Sequence, residues 1–230
     1  MSQISKVSIL VFPGSNCDRD LKVALKKTLN LDAEMVWHKT SHIKKTNMIL
    51  IPGGFSFGDH LRAGIIATKS PAINELIRFA NKGVPIVGIC NGFQILTECN
   101  LLPGALLKNK IPKFLCKNIN LLVKNTNKFT SFYKDNQIIS LPIAHSQGNF
   151  YANPKTILEL ENNNQIVFKY SSDLGLIDNN CNPNGSKKNI AGIINKEGNI
   201  LGLMPHPERA VSFNKNKDGS LFFKGLGDLL

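Results

Sequence analysis

The sequence predicts an α/β fold in which a doubly wound, mostly parallel sheet is flanked by helices and followed by a more β-rich second half. Three observations predict it. Short apolar runs alternate with amphipathic segments across the first half, in the order β-α-β-β-α-β-α with brief connections. The run Val84 to Ile89 is rich in Val and Ile, which suits a strand buried on both faces of a parallel sheet. Beyond Phe114 the helical spacing fades, and apolar alternation such as Leu115, Ile119, Leu121 and Val123 takes over.

Taken in order, Val7 to Phe12 is a first buried strand, and Pro13-Gly14-Ser15-Asn16 is a turn. A helix follows, with Asp18 or Asp20 as its cap and Leu21, Ala24, Leu25, Thr28 and Leu29 on one face. Ala33 to Trp37 and Met48 to Ile51 are the next two strands. Pro71 to Ala80 is a second helix, stopped by Asn81-Lys82-Gly83. Pro85 lies near the start of the following strand, where one missing N–H is tolerated. In the second half, strands are expected over 114–123, 137–143, 156–160 and 165–170, with a polar loop from Gly175 to Gly185. Ile190 to Ile194 and Ile200 to Met204 form a hairpin around Asn195-Lys196-Glu197-Gly198-Asn199. Asp218 to Leu230 is a last helix, weakened by three glycines. With no repeat and no Pro/Gly/Ser-rich linker, residues 1–230 are expected to form one domain.

Composition narrows the function. Hydrophobic residues make up 42% of the 230-residue chain, enough for a core. No stretch approaches the roughly 20 apolar residues of a membrane span, and no signal-peptide pattern opens the chain, so a cytoplasmic location away from membranes is expected. The five Cys fit neither a zinc template nor a full disulfide framework; no metal is expected on the chain. The net charge of +12 comes from lysines scattered among asparagines, without a basic block or a nucleic-acid motif, so no nucleic-acid partner is expected.

The chemistry centres on Gly88-Ile89-Cys90-Asn91-Gly92, followed by the helix-like Phe93-Gln94-Ile95-Leu96. A strand, Gly-x-Cys-x-Gly and a helix together describe a nucleophile elbow with Cys in the usual Ser position. Its glycines relieve crowding in the tight turn, and the helix N-terminus favours a thiolate. The alternative is a buried structural cysteine. Cys17 also follows a strand, but it lacks the flanking glycines and is the rival nucleophile. A thiol nucleophile needs a base and an orienting group. His206, between Pro205 and Pro207, is held extended, and Glu208 two residues on faces the same side if the segment is β-like. A polyproline segment would point them apart. Gly53-Gly54 after a strand lets backbone N–H groups approach a ligand; Gly54 and Asn91 are the candidate oxyanion donors. His145, in a Gly-containing turn after a strand, is placed to line the site.

These elements together resemble the class I, or triad, glutamine amidotransferases. Within them the closest likeness is to the glutaminase subunits of phosphoribosylformylglycinamidine synthases, in their split bacterial form. The likeness rests on Phe12-Pro13-Gly14-Ser15-Asn16-Cys17-Asp18, the stretch from Pro52 to Gly64, the elbow with Gln94, Pro142-Ile143-Ala144-His145, and Met204 to Val211. It implies a Cys90–His206–Glu208 triad that hydrolyses L-glutamine to glutamate and ammonia, with Gly53 and Gln94 among the glutamine-binding residues. It further implies no cofactor on this chain. A separate synthetase subunit uses ATP and Mg2+ to aminate formylglycinamide ribonucleotide in purine biosynthesis, and a small third subunit bridges the two. One departure stands out: His145-Ser146-Gln147-Gly148 replaces the usual His-Gly-Glu-Gly, removing a carboxylate. The rival classes are a catalytically silent subunit, a nucleic-acid binder, a glutaminase serving another synthetase and a related hydrolase.

Overall fold

The structure is a computed structural model and describes residues 6–211 and 217–230. Its strands are β1 Val7–Val11, β2 Glu34–Trp37, β3 Met48–Ile51, β4 Ile86–Ile89, β5 Ala105–Leu107, β6 Leu115–Val123, β7 Ile138–His145, β8 Asn149–Tyr151, β9 Ile166–Ser171, β10 Ile190–Ile194 and β11 Ile200–Leu203. The helices are α1 Asp18–Leu29, α2 Pro71–Asn81, α3 Asn91–Glu98, α4 Pro154–Asn162 and α5 Asp218–Gly227. Nine strands form one sheet in the order β2-β1-β3-β4-β11-β10-β9-β6-β7. From β2 to β11 the neighbours are parallel; from β11 to β7 they are antiparallel. The parallel part matches the βαβ pattern of the first half, and the antiparallel extension is the β-rich second half.

β4 lies between β3 and β11, and all four of its residues are buried. This is why the sequence there is apolar without alternation. α1 buries Leu21, Ala24 and Leu25, the three- and four-residue spacing expected of it. Its N-cap is Cys17 rather than Asp18 or Asp20; the Asp18 carboxylate instead accepts from the N–H of Arg19. α2 starts with Pro71 at its first position, where a missing N–H costs nothing. β7 is an edge strand, which accommodates Pro142.

The strand expected over 156–160 is helix α4. Asn153 caps it by accepting from the Thr156 N–H at 2.8 Å, Pro154 occupies its first turn, and the buried residues Ile157 and Leu160 are three apart. The cap and the spacing outweigh the β-branched Thr156 and Ile157. The two-stranded β5–β8 sheet was not expected, because three-residue strands carry too little alternation to be recognised. α5 forms despite its glycines. Gly219 is needed there, since a Cβ would lie 2.0 Å from the Pro207 carbonyl oxygen. The loops after β1, β3, β4 and β11 all leave the carboxyl ends of the parallel strands, where open α/β sheets place their sites.

Candidate active site

Cys90 joins β4 to α3 with φ 51° and ψ −104°. A non-glycine residue held there costs about 1–3 kcal/mol of backbone strain. Close packing holds it: a Cβ on Gly92 would sit 2.2 Å from the Ile51 carbonyl oxygen at the end of β3. The elbow expected from the sequence is therefore present, and its second glycine is required by the neighbouring strand. The Cys90 N–H donates to the Leu203 carbonyl at 2.7 Å, tying the elbow to β11. The thiol is buried and lies 3.7 Å from the Ala144 carbonyl oxygen.

β11 leads directly into His206. Its backbone N–H donates to the Pro142 carbonyl at 2.8 Å, and Nδ1 lies 2.5 Å from Glu208 Oε1. Both side chains are almost wholly buried. The route differs from the extended segment expected: Pro207–Arg209 is a 3-10 turn, and this turn folds Glu208 back onto the ring. Nε2 is buried with no hydrogen-bond partner among the described residues, and so is Glu208 Oε2. Burial disfavours the charged imidazole, but Glu208, Cys90 and Cys17 outweigh it and hold the His206 pKa well above its ordinary value.

The Gly53-Gly54 loop leaves β3 beside the elbow. A Cβ on Gly53 would lie 2.6 Å from His206 Cε1, so glycine is what lets the imidazole approach. The Gly53 carbonyl accepts from the Cys17 N–H, and the Phe55 N–H donates to the Gly14 carbonyl, so the turn after β1 braces the loop. Gly54 has φ 142°, which only glycine adopts without strain. Its N–H and that of Asn91 have no acceptor among the described residues, which leaves both for a developing oxyanion. Gln94 is 4% exposed and already bonded at both ends: Oε1 accepts from Asn91 Nδ2 at 2.8 Å, and Nε2 donates to the Gln147 carbonyl at 2.6 Å.

Cys17 lies closer to this chemistry than its sequence setting suggested. Its Sγ, a His206 ring nitrogen and a Glu208 oxygen lie within 4.8 Å of one another. Arg209 Nη2 donates to the sulfur at 3.0 Å. This trio has metal-ligand chemistry, but the Arg209 guanidinium opposes a cation there. The contact joins residues 192 apart in the chain, so no local pattern announced it.

His145 is held in one tautomer. Asn109 Nδ2 donates to the Lys113 and His145 carbonyls, so Asn109 Oδ1 accepts from the Gly148 N–H and from His145 Nδ1. The bare Nε2 is buried without a partner among the described residues. Burial, and behind it the charge of His206, lowers the His145 pKa to about 4. Between pH 6.5 and about 4 the folded chain therefore binds fewer protons at this site than the unfolded chain, and stability falls as pH falls. Unfolding free energies from urea titrations between pH 7 and 4.5 should drop more for the wild type than for His145→Gln, by about 2–3 kcal/mol. Equal slopes would place the imidazole in water.

A sequence profile described as a CobB/CobQ-like glutamine amidotransferase domain matches residues 4–219. The chain is 47% identical to phosphoribosylformylglycinamidine synthase subunit PurQ of Methanosarcina mazei over 98% of both chains. It is equally similar to the Pelagibacter ubique subunit of that name, over 95% of this chain and 96% of the other. The solved structure of PurLQS from Thermotoga maritima includes a chain that superposes with a TM-score of 0.85 at 37% identity, covering 97% of this chain and 98% of that one. A glutamine amidotransferase from Thermotoga maritima shares the fold at 16% identity, with a TM-score of 0.57, over 90% of this chain and 77% of that one. Among the described residues no helix is long and apolar enough to cross a membrane. The chain belongs to the glutamine amidotransferase family, and within it to the PurQ glutaminase subunits of phosphoribosylformylglycinamidine synthase.

Proposed function

We propose that Cys90, His206 and Glu208 perform the glutaminase half-reaction, and that residues 1–230 act as one catalytic unit in the cytoplasm. The observation that carries this is the strained Cys90 elbow beside a buried imidazole–carboxylate pair. The Cys90 thiolate attacks the side-chain amide carbon of L-glutamine. The oxyanion that develops is held by the Gly54 and Asn91 N–H groups. The C–N bond breaks as His206 gives its proton to the departing ammonia, leaving a glutamyl thioester. Water, deprotonated by His206, attacks the thioester and releases glutamate. Glu208 is a positioning residue that fixes the ring and stabilises its charge. Gly53 shapes the pocket beside His206, and Gln94 spans α3 and the turn at Gln147, where glutamine is held. Gln147 meets Gln94 through its backbone carbonyl, a contact that does not need the carboxylate usual at its position.

The ammonia goes to a synthetase subunit, which uses ATP and Mg2+ to convert formylglycinamide ribonucleotide to formylglycinamidine ribonucleotide; a small bridging subunit completes the assembly. The relatives' name and the PurLQS structure support this hetero-oligomer. The test is glutamate and ammonia release from glutamine, measured for the chain alone and with its cognate subunits. Weak release that rises on assembly supports the reading; no release with the partners bound and all substrates present overturns it.

The segment from Phe55 to Gly64 is suited to couple the two activities. Ser56 N–H donates to Asn91 Oδ1, and Arg62 forms a two-point pair with Glu98. Asn91 opens α3 beside Cys90, and Glu98 closes it, so this loop grips both ends of the helix that carries the nucleophile. Arg62→Ala is expected to reduce glutamine-dependent synthesis several-fold more than basal hydrolysis, read from paired assays of the two rates. Equal losses would count against coupling through this loop.

A further inference from the structure

A cleft of about 700 Å³, separate from the triad, is lined by Lys110, Lys169, Lys187 and Lys188 together with Ser186 and neighbouring asparagines. Lys169 projects from the middle of β9 and is partly buried. Among the described residues its ammonium has no hydrogen bond or ion pair. Burial pushes its pKa down, Glu161 opposes this, and Lys188 and Lys124 add to it. A partly buried cation surrounded by further cations is costly unless an anion joins it. The nearby acids do not meet that need. Asp178 turns into its own loop, accepting from the Asn180 and Cys181 N–H groups. Glu161 forms its ion pair with Lys188, at 3.7 Å, and acts on Lys169 from beyond ion-pair distance.

The wall is built rather than loose. Asn182 Oδ1 accepts from the Asn184 and Gly185 N–H groups, Asn189 Nδ2 donates to the Tyr170 and Asp178 carbonyls, and Ser186 Oγ donates to the Gly148 carbonyl. Within this network Lys188 and Asn189 both adopt the left-handed conformation, with φ of 53° and 58°. Two such residues in succession cost free energy that a plain surface loop would shed. Here they fix two consecutive lysines at the rim of the cleft. Ile111 and Ile177 add exposed apolar surface beside the ammonium groups.

We propose that this cleft binds a small molecule carrying a diphosphate, with a ring-bearing body of nucleotide size. Four lysines, with Lys188 paired to Glu161 and Lys187 lying over the Tyr151 ring, leave the cleft a net positive charge even with Asp178 in its wall, which a diphosphate would meet. The volume lies within the range of small-molecule sites, and the isoleucines give a ring a surface to pack on. This goes beyond the glutaminase reading and does not depend on it.

The test is calorimetric titration of the full chain with ADP, pyrophosphate and adenosine in metal-free buffer, repeated for Lys169→Gln and for Lys187→Gln/Lys188→Gln. The control is Lys26→Gln/Lys27→Gln, a pair of lysines on α1, away from the cleft. Cooperative thermal unfolding reports that each variant is folded. ADP and pyrophosphate should bind and adenosine should not. Each cleft variant should weaken ADP by about tenfold or more, with the control unchanged. ADP binding tighter than pyrophosphate assigns the isoleucines to its ring; equal binding assigns the site to the diphosphate alone and overturns the ring-bearing part of the proposal. Absence of binding, equal weakening by the control, or unchanged affinity in folded cleft variants overturns the whole. So does a short RNA that binds more tightly than ADP at the same ionic strength and competes for the same lysines.

Discussion

Cys90→Ala is expected to lower glutamine hydrolysis on the order of 10⁴-fold or more, because no thioester forms without the sulfur. The fold should survive the change. The side chain's contact to the Ala144 carbonyl is long, at 3.7 Å, its interaction with His206 is catalytic rather than structural, and the elbow is held by backbone and glycine packing that alanine keeps. The variant therefore separates chemistry from assembly. Joined to its synthetase partners, it should still permit synthesis from added ammonium salts while losing synthesis from glutamine. Loss of both would mean that the substitution disrupts the complex. Retained hydrolysis would move the nucleophile to Cys17, which also lies beside His206 but receives a hydrogen bond from Arg209 rather than standing at an elbow.

What the sequence revealed follows from how local each signal is. The elbow was legible because strand, glycines and helix are contiguous, and each is demanded by a clash within a few residues or with the next strand. The β-rich second half was legible in outline, but α4 was not. Its cap at Asn153 and its Ile157–Leu160 spacing competed with a short β-branched run, and the cap and the spacing prevailed. The pairing of His206 with Glu208 was legible for an incomplete reason: the residues converge through a 3-10 turn, not along an extended segment. Contacts between distant parts of the chain were not legible at all. Nothing near Cys17 points to Arg209, and nothing near His145 points to Asn109, which sets its tautomer. The lysine cleft has the same origin. Its members are scattered from 110 to 188 and looked like compositional bias until β9 and the loop after it brought them together.

Glu208→Gln is expected to cost about 10³–10⁴-fold in kcat with little change in KM, since the carboxylate touches the imidazole and not the substrate. The ring is buried, and burial alone would keep it neutral; the carboxylate is the main contributor opposing that. With glutamine in its place, the His206 pKa should fall, and the imidazolium that protonates departing ammonia becomes scarce. An amide also presents either an oxygen or an N–H to Nδ1, so the ring loses its fixed tautomer. The same interaction appears in stability with a definite sign. Because the folded pKa is raised above the unfolded value near 6.5, the stabilisation is complete below that pH and is lost as pH rises through the raised value. Unfolding midpoints should therefore decline toward alkaline pH in the wild type and less so in Glu208→Gln. Glu208→Asp, which keeps the charge but shortens the reach, should recover part of kcat. If Glu208→Gln retains wild-type kcat and the same alkaline decline, the carboxylate merely packs against the imidazole and the triad reduces to Cys90 and His206. A loss of kcat that Glu208→Asp partly restores requires charge as well as shape, because glutamine fills the same space without it.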